Sequence, residues 1–218
     1  MDLTIAYAAF ANGGFKIEPF LIDHITDNNG KMLLQAKSAY VCHLCDDKKT
    51  KSDIIAPRII PEDVAFLMHT ALLDVVQHGT AHEATSLKRK DLAGKTGTTN
   101  EQKDAWFVGY NQDIVLTTWV GFDTPTPLHE YAAQLALPLW IDIMKTALKG
   151  MPEKAMHQPD NVVAVRIDPT TGLLITSDRP GAIIEYFRKE EVPQAEDAGA
   201  PLNTNDTTQP VGSEENLF

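Results

Sequence analysis

Three runs between residues 92 and 122 constrain the fold more than any other part of the chain. Residues 92–99, 105–110 and 114–122 read as strands, and Asn111-Gln112-Asp113 leaves room only for a tight turn between the last two. Parallel strands need a long crossover, so these runs predict an antiparallel meander. Just upstream, residues 61–78 place Val64, Leu67, Met68, Ala71, Leu72, Val75 and Val76 at helical spacing. Pro61 suits the helix start, Glu62 and Asp63 complement the positive end of its dipole, and Gly79 supplies the stop. Burying each large apolar member of that face contributes about 1.5–3 kcal/mol, so the face is core whatever the function.

The remaining elements are shorter. Residues 2–11 predict a helix with Leu3, Tyr7, Phe10 and Ala11 on one side, stopped by Asn12-Gly13-Gly14. Residues 15–25 and 31–36 suggest strands around the hairpin signal Asp27-Asn28-Asn29-Gly30. A helix over 131–148 is expected to bend or restart at Pro138. Residues 162–167 read as a strand, followed by the turn Asp168-Pro169-Thr170-Thr171-Gly172 and a short run at 173–175. The fold class is α+β, an antiparallel sheet with flanking helices, in one domain over residues 1–190.

Charge separates the C-terminus from the rest. Glu190, Glu191, Glu196, Asp197, Asp206, Glu214 and Glu215 fall in residues 190–218 without a Lys or Arg, which leaves about −4 of the net −11 for the other residues. Residues 191–218 therefore read as an acidic disordered tail. No basic face is available to neutralise phosphates, so nucleic acid is not an expected partner. No stretch approaches the roughly 18 apolar residues of a membrane span, and Met1-Asp2-Leu3-Thr4 puts an acid where a secretory signal carries basic residues. Cys42-His43-Leu44-Cys45 is half a zinc site with no second pair. His78 and His82 stand four apart, but Gly79 breaks the helix between them. No metal is expected.

The stretch that carries chemistry is Ala93-Gly94-Lys95-Thr96-Gly97-Thr98-Thr99-Asn100. Lys95 offers an ammonium for a carboxylate, a charge-assisted contact stronger than a neutral hydrogen bond. Gly97 lets a peptide approach and pair with the strand edge. Thr98 offers a hydroxyl to a carboxylate and a backbone N–H to a developing oxyanion, where one donor contributes about 3–4 kcal/mol. Taken alone, the triplet is better read as a surface strand that Lys95 merely caps, with Gly97 marking a bulge.

The flanking residues decide between these readings. Asp74-Val75-Val76-Gln77-His78-Gly79-Thr80-Ala81, Arg89-Lys90-Asp91-Leu92 before the motif, and Asp104-Ala105-Trp106-Phe107-Val108-Gly109-Tyr110 after it resemble the class A (bifunctional) penicillin-binding proteins. Trp119-Val120-Gly121-Phe122-Asp123, Ala136-Leu137-Pro138-Leu139-Trp140 and Tyr7-Ala8-Ala9-Phe10-Ala11-Asn12-Gly13-Gly14 extend the resemblance over roughly residues 1–190, most like the 1A type of Gram-negative bacteria. The resemblance implies the C-terminal part of a penicillin-binding, β-lactamase-like transpeptidase domain. It maps Lys95, Thr96, Gly97 and Thr98 onto the family's substrate-binding strand and implies no cofactor. Its ligands would be D-Ala-D-Ala stem peptides and β-lactams, on the periplasmic side of the inner membrane. Trp106, Phe107 and Tyr110 read as strand packing.

The family's nucleophile sits in Ser-x-x-Lys, with a second motif Ser-x-Asn. The five serines are Ser38, Ser52, Ser86, Ser177 and Ser213. Three positions on stand Val41, Ile55, Arg89, Pro180 and Asn216, and two positions on Tyr40, Ile54, Lys88, Arg179 and Glu215. Neither motif is present, so no catalytic residue is assigned here and the missing N-terminal part of the same protein becomes the expected partner. Apolar surface is then expected to be exposed on the meander and on the helix at 61–78. A non-catalytic peptide- or partner-binding module is the alternative, and a hydrolase using Thr98 ranks last because no base is placed beside it.

Overall fold

The computed structural model describes residues 1–37, 39–41, 55–176 and 180–195. In chain order the elements are α1 (Asp2–Ala11), β1 (His24–Thr26), β2 (Met32–Gln35), α2 (Glu62–Gln77), β3 (Ala93–Thr98), β4 (Asp104–Tyr110), β5 (Val115–Gly121), α3 (Ala132–Ala147), β6 (Val162–Ile167) and β7 (Ile183–Arg188). By internal packing the described residues divide into two units, those of 1–163 with 186–189, and those of 164–185 with 190–195. The cysteine pair Cys42 and Cys45 and the tail from 196 lie outside the described residues.

In the first unit the predicted meander forms, β3, β4 and β5 lying side by side in sequence order, all antiparallel. Asn111 closes its second turn through its own side chain, Oδ1 accepting from the backbone N–H groups of Asp113 and Ile114. α3 packs on the sheet through Ala136, Leu137, Trp140 and Met144. Gly109 makes this possible, because a Cβ there would stand 2.6 Å from the Trp140 ring. The ring meets Phe107 edge to face at 5.1 Å, and its Nε1 donates to the Leu116 carbonyl at 3.1 Å. Such aromatic pairs contribute about 0.5–1.5 kcal/mol beyond their buried area.

Several elements differ from expectation, each for a local reason. α3 runs through Pro138 unbroken. The carbonyl that Pro138 orphans belongs to Gln134, an exposed residue whose backbone water can satisfy. α2 has the expected limits, with Pro61 as its N-cap, but its buried stripe is Ala65, Phe66, His69, Leu72 and Val76. Met68 and Ala71 face outward, and His69 takes a core position by meeting the Tyr110 hydroxyl at 3.3 Å. Of residues 15–25 only His24 and Ile25 join a strand, which runs on to Thr26, and Phe15 instead bridges to Arg58, whose guanidinium lies 4.2 Å from its ring centroid. The turn between β1 and β2 is as predicted, with Asp27 Oδ1 accepting N–H bonds from Asn29 and Lys31 at 2.9 Å and Gly30 at a φ of +80°.

Apolar exposure follows the expectation only in part. Trp119 and Phe122 on the meander and Met68 on α2 are exposed, yet the larger share falls on Phe20, Leu21, Ile22, Leu33 and Leu34 around the first hairpin. In the second unit Ile167 bridges Leu174, the Ile175 N–H donates to the Arg166 carbonyl, and Leu174 bridges Ala195. The Asp168 turn closes as predicted, its Oδ1 accepting the Thr170 N–H at 2.7 Å. β7 and its pairing with β6 were not expected. Its alternation is weak, and its Tyr186 finds its partner far back in sequence, on Phe66 of α2 at 5.2 Å.

Candidate functional site

β3 is the outer strand of the meander, so one of its edges has no strand partner among the described residues. The Thr99 N–H donates to the Asp104 carbonyl at 3.1 Å. Because bonded and non-bonded positions alternate along an antiparallel pair, Thr96 and Thr98 turn their backbone N–H and C=O groups to the free edge. The Lys95 ammonium confirms the direction by donating to the Thr96 carbonyl at 2.9 Å.

Side chains alternate between the two faces of the strand. Lys95 and Gly97 line a hollow of about 310 Å³ with Leu3 and Tyr7 of α1 and Trp106 and Val108 of β4, and Thr96, Thr98 and Thr99 border it too. Thr96 and Thr98 also line a second hollow of about 280 Å³ with Thr80, Tyr131, Ala132 and Gln134. The four residues singled out from the sequence thus share one open strand edge.

Each has a definable state. Lys95 is exposed and has no carboxylate partner among the described residues. Gly97 is not demanded by packing, because a Cβ there would meet only Trp106 Cβ at 3.5 Å, an ordinary contact. Thr98 Oγ1 accepts the Ala132 N–H at 3.2 Å. That N–H belongs to the first residue of α3, which has no acceptor within the helix, and the Thr98 proton stays free to donate. Thr96 Oγ1 lies 2.9 Å from Thr80 Oγ1. Ser86, the one serine among the described residues, is not a partner of Lys95.

Behind the strand sits a buried ionic anchor. Arg89 holds Asp91 through two bonds, Nε to Oδ1 at 2.8 Å and Nη2 to Oδ2 at 2.6 Å, and also donates to the Met151 carbonyl at 2.7 Å. Burial pushes the Asp91 carboxyl up, but Arg89, the Lys154 N–H and Asn111 together hold it below the usual carboxylate range. Burial pushes His69 down to about 4 despite the opposing pull of Asp91, so it is neutral at pH 7. Burial also raises the Tyr7 and Tyr110 phenols, Tyr7 adding to the rise at Tyr110.

Sequence reasoning missed Leu3, Tyr7, Thr80 and Tyr131 as lining residues, and took Trp106 for packing alone. Phe107 and Tyr110 are fully buried, as expected. Trp106 instead lies against Trp119 at 5.9 Å and also walls the hollow beside Lys95. Its position opposite Gly97 in the register is the signal that places it there. Among the described residues no cluster of three or more His, Cys, Asp or Glu stands ready for a metal, and no helix is long and apolar enough to cross a membrane.

Comparison with known proteins bears on the same residues. The family model described as the penicillin-binding protein transpeptidase domain matches residues 1–145. Penicillin-binding protein 1A of Pseudomonas aeruginosa is 38% identical over 229 residues, covering 88% of this chain and 28% of that protein. Penicillin-binding protein 1A of Neisseria lactamica is 42% identical over 166 residues, covering 75% of this chain and 19% of its own length. The crystal structure of penicillin-binding protein 1A from Haemophilus influenzae superposes with a TM-score of 0.79 at 38% identity, over 88% of this chain and 32% of that one. The chain spans less than a third of the curated relatives it matches. With its helices and antiparallel sheet arranged as in that structure, the chain belongs to the penicillin-binding protein transpeptidase family, and these relatives are of the 1A type.

Proposed function

We propose that residues 1–190 form part of a peptidoglycan D,D-transpeptidase domain and that Lys95, Thr96, Gly97 and Thr98 bind its substrate. The observation that carries this reading is the edge of β3, free among the described residues, with a cation that has no carboxylate partner among them, a hydroxyl proton left to donate and a glycine that packing does not require. A stem peptide ending in D-Ala-D-Ala lies along that edge as an added strand, bonded to the outward N–H and C=O groups of Thr96 and Thr98. Lys95 faces its terminal carboxylate, and the Thr98 N–H faces the scissile carbonyl oxygen.

The 218 residues hold no Ser-x-x-Lys, so in this reading the nucleophile comes from outside the sequence described. Its oxygen attacks the penultimate D-Ala carbonyl, and terminal D-Ala leaves with a proton on its amine. The amine of a second stem peptide then displaces the serine. β-Lactams acylate the same oxygen, and the setting is cell-wall synthesis on the periplasmic side of the inner membrane. Charge marks residues 191–218 as an acidic extension, although Gln194 and Ala195 bond back to Leu174, and the isolated chain does not turn over substrate, since removing a catalytic serine costs on the order of a million-fold in comparable acyl enzymes.

Fluorescent penicillin tests this reading. The isolated chain stays unlabelled, while a longer protein that joins it to a Ser-x-x-Lys segment is labelled and loses labelling on Lys95→Ala. Covalent labelling of the 218 residues alone would contradict the proposal. The bare edge of β3 also supports a second reading, a peptide-binding module without chemistry; retained peptide binding with no labelling of any longer form would favour it.

A further inference from the structure

Thr80 lies outside β3, yet its hydroxyl reaches that of Thr96 across sixteen residues of sequence at 2.9 Å. Gly79 permits this approach. A Cβ at that position would stand 2.9 Å from the Val75 Cα and carbonyl oxygen, so the tight exit from α2 that delivers Thr80 needs glycine.

Either hydroxyl of this pair can donate. The Lys95 ammonium has only protons to give, and it lies 3.4 Å from Thr96 Oγ1. The ammonium engages one of the two lone pairs on that oxygen, and an anionic guest at Thr80 selects the arrangement in which the Thr96 proton points at Thr80. The Thr80 oxygen accepts it, and the Thr80 proton is left over. Thr98 reaches the same condition differently, its oxygen already engaged by the Ala132 N–H. Both hydroxyls belong to residues lining one hollow of about 280 Å³, and the Thr98 proton has no acceptor among the described residues. Two hydroxyls on one hollow, with the Lys95 ammonium against Thr96, suit one anionic occupant.

We propose that Thr80 is a specificity-determining residue, its hydroxyl donating to the terminal carboxylate of a peptide seated along β3. This rests on the peptide-binding reading above and adds to it a donor from outside the strand. Lys95 acts through this chain as well as directly, because its charge polarises the Thr96 hydroxyl and so strengthens the donor at Thr80.

Calorimetric titration of the 218-residue chain with N-acetyl-D-Ala-D-Ala and with its C-terminal amide tests the assignment. Thr80→Val is expected to weaken the acid about tenfold, equal to about 1.4 kcal/mol, and to leave the weaker binding of the amide unchanged. Thr80→Ser restores the acid to within about twofold, and Thr80→Ala repeats the loss without the bulk of valine. Thr80 is exposed, and unchanged melting of each variant shows that the fold is kept. Undiminished acid binding by Thr80→Val, or equal losses for acid and amide, overturns the role of Thr80; if Lys95→Ala abolishes binding in the same series, the function reading stands. No saturable binding to the unaltered chain overturns both.

Discussion

The two halves of β3 each carry a glycine, and different physics holds each in place. Gly94 is buried, and a Cβ there would stand 2.7 Å from the Val108 carbonyl oxygen and 2.9 Å from Gly109 Cα, backbone that cannot yield. Gly97 has only an ordinary contact to make. Around Gly94 the strand is fastened on every side, by the Arg89–Asp91 anchor before it and by Tyr110 and His69 beside it. Around Gly97 the strand spends nothing on packing and leaves its polar groups to the outside. One half of a six-residue strand makes the fold, and the other half is held in position by it.

Four measurements break or sharpen this contrast. The largest effect is expected from Asp91→Asn, which leaves the part-buried Arg89 guanidinium without its counter-charge; removing one partner of a fully buried pair costs about 3–5 kcal/mol, an upper bound here. Chemical denaturation checks it, and a loss below about 1 kcal/mol would show the anchor to be ornamental. Next comes His69. Its folded value of about 4 lies below the ordinary 6.5, so the unfolded chain binds the extra proton first and stability falls as pH drops from about 6.5 to 4. The loss is about 3 kcal/mol over that window. Melting against pH should show it, and His69→Leu should flatten the curve there. Asp63 and Asp91, held low, are lost only below their ordinary 3.8 and do not enter this window.

Third, Gly94→Ala should destabilise by about 1–3 kcal/mol through overpacking. Smallest in stability is Gly97→Ala, within about 0.5 kcal/mol of the original, with a several-fold loss of peptide affinity as its methyl enters the hollow. Equal destabilisation by the two alanines would erase the distinction between the halves.

The legible parts of this fold were those with local causes. The Asn111 turn, the Asp27 turn, the Pro61 start and Gly79 stop of α2 and the three meander strands depend on residues within a few positions of one another. What escaped depends on partners far away in sequence. His69 reads as polar until Tyr110, 41 residues on, makes it a core residue. Thr80 reads as a residue after a helix until it meets Thr96. β7 has little alternation of its own and relies on Phe66 for its Tyr186. The candidate site divides the same way: Lys95 to Thr98 were visible as a motif, whereas its walls come from α1, β4 and the start of α3, which only the packed chain brings together.

The bond from Ala132 to Thr98 has a practical corollary. Its amide proton shares the threonine oxygen with whatever that hydroxyl touches, and a guest that draws on the hydroxyl proton makes the oxygen a better acceptor. The Ala132 resonance should therefore move downfield as the hollow fills, giving an isotope-labelled sample a built-in gauge of occupancy that needs neither turnover nor a dye.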